Sequence, residues 1–253
     1  MQISTNSLAD RPLPRIWPLK GPHRPKAFAE FQKAMGGGDV PLITKELARC
    51  MKFPAYWVMT YVFTKDEHDP IRPVKRLPRY RYIVRVIQEL AREPRVLIPK
   101  SRQIRITWTC LSYILHSALF QGHRLNFVQS KKEEDAASLV GRQKHIYEHL
   151  PWWMKAASPL KHPLTKQPFN KLAFSNGSLI WGVPQGSDVL RQYTASIIFD
   201  DEMAFQERAE EAYKAAKPTV DGGGQFIGCS SVNGKNFFFR MCHDKLDAPE
   251  ASL

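Results

Sequence analysis

The sequence predicts an α/β fold, with a mostly parallel central sheet flanked by helices on both faces. Three observations carry the prediction. Short apolar runs near 95–99, 125–128, 196–199 and 225–229 are continuous rather than alternating, as strands covered on both faces require. The first three runs are each followed by a segment of helical length, the spacing of crossover connections. Polar residues gather at the carboxyl ends of three of these runs, where open α/β sheets place their ligands.

The elements follow in order. Pro12, Pro14, Pro18, Pro22 and Pro25 punctuate a weakly patterned start, and Gly36-Gly37-Gly38 breaks what comes after. This reads as an irregular N-terminal arm with one short helix near 26–35 and a second over 40–50. Pro70, Pro73 and Pro78 mark an irregular, basic approach to the main domain. Residues 1–77 are thus expected to form an arm and linker, and 78–253 the principal domain. Tyr82, Ile83, Val86, Ile87 and Leu90 recur at helical spacing, which predicts a helix over 79–92. Residues 95–99 read as a buried strand, 105–119 as a helix, 125–128 as a strand and 131–149 as a helix stopped by Pro151. Residues 154–170 read as loop. Asn176-Gly177 between Leu172-Ala173-Phe174 and Leu179-Ile180-Trp181 predicts a hairpin. A strand over 196–199, a helix over 207–217, a turn at Asp221-Gly222-Gly223-Gly224 and a strand over 225–229 complete the pattern. No internal repeat is evident.

Composition bounds the function. The chain has 253 residues, 43% hydrophobic and 24% charged, which is globular rather than disordered. Its 37 Lys and Arg against 24 Asp and Glu leave +13, so a polyanionic partner is expected without being specified. Cys50, Cys110, Cys229 and Cys242 form no close pairs, which argues against a zinc ribbon or a disulfide-stapled module. No apolar run reaches 18 residues and no signal peptide follows Met1, so neither a membrane span nor export is expected.

Three polar clusters could carry chemistry. The first, Lys100-Ser101-Arg102-Gln103-Ile104-Arg105-Ile106-Thr107, joins a strand to a helix. A phosphate loop needs backbone N–H groups at a helix N-terminus, a lysine and a metal-binding hydroxyl. The usual glycine pattern fails here, because Arg105 stands at the final-glycine position and Ile106 precedes Thr107. What survives is Thr107 at the hydroxyl position and Lys100 seven residues earlier, with Arg102 as a fork-shaped donor. An ordinary basic strand–helix connection reads equally well. The second cluster is Asp200-Asp201-Glu202, delivered by an apolar strand. Adjacent carboxylates suit Mg²⁺ and an activated water, with Asp201 for the metal, Glu202 for the water and Asp200 as the competing metal candidate. The third is Ser230-Ser231-Val232-Asn233-Gly234, whose hydroxyls could sense a terminal phosphate or merely form a turn. Gly234-Lys235 lacks the glycine spacing and the following hydroxyl of a phosphate loop.

Together these strings, with Leu190-Arg191-Gln192-Tyr193-Thr194 and Asp201-Glu202-Met203-Ala204-Phe205, resemble the large subunit of tailed-bacteriophage terminase over roughly 78–243, in its N-terminal ATPase domain. The resemblance implies a P-loop NTPase-like fold and Mg²⁺-dependent ATP hydrolysis driving double-stranded DNA into an empty capsid. It places Lys100, Ser101, Arg102, Gln103, Arg105 and Thr107 on the nucleotide. Lys100 and Arg102 assist hydrolysis, Thr107 and Asp201 hold Mg²⁺, and Glu202 is the catalytic glutamate. Ser230 and Ser231 match the motif that couples hydrolysis to DNA movement. Arg142 and Arg191 are candidates for an arginine acting on a neighbouring subunit. Gln88, Arg79, Tyr80 and Tyr82 are candidates for the adenine. Further expectations are a homo-oligomeric ring, a pentamer when docked on the portal protein and a monomer in isolation, and a small terminase subunit as partner. The motor is expected in the host cytoplasm, transiently at the procapsid portal, and not in the mature virion. The residues after the coupling motif are too few for the family's nuclease, so no DNA cleavage is expected of these 253 residues.

Two other readings compete. One is a nucleotide-binding module with little turnover, suggested by Arg105 and Ile106. The other is a basic structural or DNA-binding protein, suggested by 11 Lys and Arg against two acids over 71–105. Mg-ATP binding sensitive to Lys100→Ala would separate the last from the rest. Asp66, Glu67, His68 and Asp69 look metal-like, but neighbours in one loop do not converge easily on one ion. His145 and His149 share a helix face without a third ligand, Trp152-Trp153 reads as a packing plug, and Cys110 as core.

Overall fold

The computed structural model describes residues 40–66, 68–186 and 188–243. The expected helix near 26–35 lies outside them. Two helices open the described chain, α1 (Val40–Lys52) and α2 (Pro54–Tyr61), followed by a small antiparallel hairpin of β1 (Phe63–Lys65) and β2 (Val74–Arg76). The main sheet is built from β3 (Arg95–Pro99), β4 (Leu125–Ser130), β5 (Lys171–Ala173), β6 (Leu179–Pro184), β7 (Ile197–Asp201) and β8 (Gln225–Ser230). Its helices are α3 (Arg81–Leu90), α4 (Ile106–Phe120), α5 (Glu133–Glu148), α6 (Trp152–Ala157), α7 (Val189–Gln192), α8 (Ala209–Asp221) and α9 (Phe237–His243).

The six strands run in the order β3-β8-β7-β4-β6-β5, parallel except for β5, which pairs antiparallel with β6. β8, the last strand among the described residues, therefore lies between the strand that leads into the basic loop and the strand that carries the carboxylates. The Asn176-Gly177 hairpin forms as expected, with Gly177 at φ 84.

Side chains on a strand alternate between faces, and this alternation builds two cores. Val96, Ile98, Val128, Ile197, Phe199, Ile227 and Cys229 face the core shared with α1 to α6. Leu97, Phe127, Ile198 and Phe226 face the second core, against α8 and α9. Phe127, Phe199 and Phe226 are fully buried, each worth about 1.5–3 kcal/mol of transfer free energy. The segment expected to be arm and linker contributes buried residues to the first core from Cys50 on, with Leu42, Ile43 and Leu47 packed against it. Trp57 is fully buried, and its ring meets His116 of α4 edge-on at 5.5 Å.

Some elements were not expected. α2 is buried on every side over residues 55–61, so it has no amphipathic period to betray it. α6 runs from Trp152 to Ala157, into the segment expected to be loop from 154 on; Trp153 and Met154 are its buried face. α8 extends to Asp221, past Pro218. Close packing of α5 on β6 depends on Gly182. A Cβ there would come within 2.8 Å of the Ala136 carbonyl oxygen.

Candidate nucleotide site

Parallel pairing of β3 with β8 continues one step past Pro99, where the Lys100 N–H donates to the Ser230 carbonyl at 2.9 Å. The chain then turns through residues 101–105 into α4. Gln103 and Arg105 take left-handed conformations, φ 63 and 64. Arg105 is thus held where glycine is the usual residue, at a cost of about 1–2 kcal/mol for a side-chain-bearing residue. The N–H groups of 101–105 lie beside the N-terminus of a 15-residue helix, the setting that favours an anion.

Strand β7 splits its two aspartates between faces. Asp201 shares the side of Ile197 and Phe199 and points to α4, where the Thr107 hydroxyl donates to its Oδ1 at 3.1 Å. The Cys229 thiol donates to the same oxygen at 3.0 Å. Burial raises the Asp201 pKa above the ordinary aspartate value. Asp200 goes to the opposite face. It is fully buried, accepts a hydrogen bond from Gln206 Nε2, and is pushed up to about 8 by burial. The expectation that Asp200 competes for the metal is therefore corrected. A period of two puts it in the core on the far side of the sheet, away from the cleft.

Glu202 follows in a left-handed turn, φ 53. Its Oε1 meets Lys100 Nζ at 2.5 Å. Its Oε2 faces the Ser230 hydroxyl, the Ser231 hydroxyl and the Ser231 N–H, each at 3.4 Å. Burial works to raise the Glu202 pKa, but the Lys100 ammonium outweighs it and the carboxyl titrates below its ordinary value. Burial likewise works to lower Lys100, but Cys229, Glu202 and Asp201 outweigh it and the ammonium is raised.

These groups line a cleft of about 930 Å³. Lys100, Ser101, Arg102, Gln103, Arg105 and Thr107 come from the loop and α4, Asp201 and Glu202 from β7 and its turn, and Ser231 from the end of β8. Ser230 does not line it. It is buried beneath Glu202, accepting from the Ala204 N–H at 3.1 Å. Arg142 of α5 lines the cleft of its own chain, its guanidinium 5.6 Å from the centre of the Trp108 ring. Arg191 lies outside the cleft on α7, exposed, 3.7 Å from Asp188.

The adenine candidates are placed elsewhere. Tyr80 and Tyr82 stack at 5.5 Å, and the Tyr82 hydroxyl donates to the Ile104 carbonyl at 2.8 Å. Arg79 donates to the Met59 carbonyl, and none of these residues, nor Gln88, lines the cleft. Asp66 and Asp69 share Lys75, at 2.9 and 2.7 Å, rather than converging on an ion site. His149 bonds the His145 carbonyl. Among the described residues no group of three or more His, Cys, Asp or Glu is placed to hold a metal.

Sequence reasoning missed the β1–β2 hairpin as a wall of the cleft, where Lys65, Asp66 and His68 lie, and it missed the Cys229 contact. The register Asp201↔Cys229 follows once β7 and β8 are paired; nothing in the local pattern announces the hairpin.

A hydroxyl and a carboxylate 3.1 Å apart are hard oxygen donors. Mg²⁺ is commonly held by one or two such groups together with substrate phosphates and water, so the residues fit that ion.

Sheet, loop and carboxylate turn together define a P-loop NTPase-like α/β domain. No protein-family model matches the chain, and no curated protein matches it. Among solved structures, the fold is similar to the large terminase of bacteriophage HK97, with a TM-score of 0.53 and 12% identity over 71% of this chain and 37% of that one. It is also similar to the large terminase of a thermophilic bacteriophage, with a TM-score of 0.50 and 12% identity over 65% of this chain and 42% of that one. The chain thus spans about two fifths of each of these terminases. At this identity the likeness is one of fold.

Proposed function

We propose that this chain is the ATPase domain of a viral DNA-packaging motor, which couples Mg-ATP hydrolysis to translocation of double-stranded DNA. The observation that supports this reading best is the double pairing across the cleft. Lys100 of the loop meets Glu202 and Thr107 of α4 meets Asp201, each joined to a carboxylate about one hundred positions later.

Thr107 and Asp201 would hold Mg²⁺, which would supply positive charge to stabilise the phosphates. Lys100 exchanges the Glu202 carboxylate for a phosphate oxygen, because a triphosphate carries the larger negative charge. Glu202, released from Lys100, is left facing Ser231 and the cleft, where it orients a water in line with the γ-phosphate. Arg102 adds a fork-shaped donor. Ser230 and Ser231, within 3.4 Å of Glu202, feel its change of partner and carry it along β8. A trans-acting arginine, Arg191 or Arg142, belongs to the same proposal, as do a portal-docked ring, probed as a pentamer, and the portal protein and small terminase subunit as partners. DNA would be held by phosphate contacts, so its affinity falls with salt.

One observation favours a module with little turnover instead. Arg105 keeps a side chain and a left-handed backbone at the loop's glycine position. The test is Mg²⁺-dependent ATP hydrolysis and ATP binding measured on the same samples at high protein concentration. The motor reading expects Lys100→Ala to lose both, and Glu202→Ala to lose hydrolysis and keep binding. Folded wild type that neither binds nor hydrolyses ATP would refute it.

A further inference from the structure

We infer that Asp66 is a positioning residue for the phosphate loop. From the β1–β2 hairpin it holds the Arg105 guanidinium, so that a long side chain at the loop's glycine position stays against the hairpin and out of the phosphate path. The last clause rests on the nucleotide reading; the positioning itself does not.

The need for such a device follows from the backbone. Arg105 at φ 64 is the last residue before α4, and its carbonyl accepts the Thr109 N–H at 3.0 Å. The loop cannot relax to a right-handed turn there without unwinding the helix start. An arginine in this place carries a charge that could fold back over the loop and occupy the anion site itself. In the structure it lies instead against the hairpin wall of the cleft. Arg105 Nη1 donates to Thr64 Oγ1 at 3.3 Å, and Nη2 lies 3.6 Å from Asp66 Oδ2. Both partners belong to the hairpin.

Asp66 is well set for this task because its own position is fixed. Its N–H donates to the Pro73 carbonyl at 2.6 Å, and its Oδ1 accepts the His68 N–H at 3.1 Å. Its Oδ2 accepts from Lys75 Nζ at 2.9 Å, and Lys75 is held from the other side by Asp69 at 2.7 Å. Thr64 is buried, and its hydroxyl also reaches the Lys75 carbonyl. The guanidinium thus meets an oriented pair of oxygens on a small, cross-braced hairpin. A partly exposed ion pair of this length contributes little to stability; what it supplies is direction.

Because Lys75 is the nearer partner of Asp66, loss of the carboxylate could act through the hairpin alone. A double-mutant cycle separates the two routes. Wild type, Asp66→Asn, Arg105→Gly and the double variant are compared by Mg-ATP affinity and by hydrogen exchange of the peptide covering 100–107. Asp66→Asn keeps the shape of the turn, and Asp66→Glu serves as the conservative rescue. The expected result is an affinity loss of about five- to tenfold and faster loop exchange in Asp66→Asn. Arg105→Gly and the double variant should lie within about twofold of each other. An Asp66→Asn effect of equal size in the Arg105→Gly background would overturn the inference, as would unchanged loop exchange in Asp66→Asn. Wild type that binds no Mg-ATP refutes the nucleotide reading, and loop exchange still decides the positioning.

Discussion

Thr107 Oγ1 lies 3.1 Å from Asp201 Oδ1, a hydroxyl at the start of α4 donating to a carboxylate at the end of β7. Two oxygen donors that already share a proton need little rearrangement to share a cation instead. Asp201→Asn is therefore expected to lower Mg²⁺-dependent ATP hydrolysis by about a hundredfold or more. The fold should survive, since burial already disfavours the charge. Thr107→Val, which keeps the shape and removes the hydroxyl, should raise the Mg²⁺ concentration needed for half-maximal hydrolysis. Metal titrations at fixed ATP check both, and an unchanged Mg²⁺ dependence in both variants would remove these residues from the metal.

Lys100 and Glu202 make a pH-dependent pair. Glu202 is depressed in the fold, so its contribution is present above the ordinary glutamate value and is lost as pH falls through the lower folded value. Lys100 is raised, so its contribution is present below the ordinary lysine value and is lost as pH rises through the higher folded one. The stability difference between wild type and Glu202→Gln is expected to stay flat from about pH 6 to 9 and to shrink below about pH 4. Denaturant melts across that range measure it; a difference independent of pH down to about 3 would contradict the pairing.

Asp200 titrates in the opposite sense. Burial raises it to about 8, so the folded protein holds a proton that the unfolded chain releases near pH 4. Stability is then lost as pH rises from about 4 through 8, by at most about 1.4 kcal/mol per pH unit. Asp200→Asn removes the ionisation. The variant should be more stable than wild type by a margin that grows from about pH 5 to 8. A margin that does not change with pH would mean that Asp200 is not protonated in the fold.

Gly182→Ala should destabilise the domain by about 1–3 kcal/mol, because the new methyl meets the Ala136 carbonyl of α5 at 2.8 Å. Urea denaturation checks it. A change below about 0.5 kcal/mol would show that α5 shifts freely on β6.

The legible parts of this molecule are those whose chemistry is local. The runs near 95–99, 125–128, 196–199 and 225–229 announce themselves because a strand buried on both faces reads as a near-continuous apolar run. That Lys100, Thr107, Asp201, Glu202 and Ser231 gather on one cleft was legible because polar groups at the ends of such runs have few other places to go. The β1–β2 hairpin was not legible. Its strands are three residues each, rich in Lys and Arg, and eight residues apart across two prolines. Asp66 could not be tied to Arg105 without it. Nor could Asp200 and Asp201 be told apart until the register fixed which of them faced α4.

Among the described residues β3 has one sheet partner, β8, which follows all the other described strands in the chain. A chain growing from its N-terminus can pair β4, β6 and β7 early, but β3 must wait for residues 225–230. Lys100 and Glu202 then meet only once residues 225–230 are in place, after closure of a loop more than a hundred residues long. Incomplete chains would have no formed site with which to sequester nucleotide. Refolding should show the appearance of nucleotide binding coinciding with the slowest structural phase, not with the collapse that precedes it.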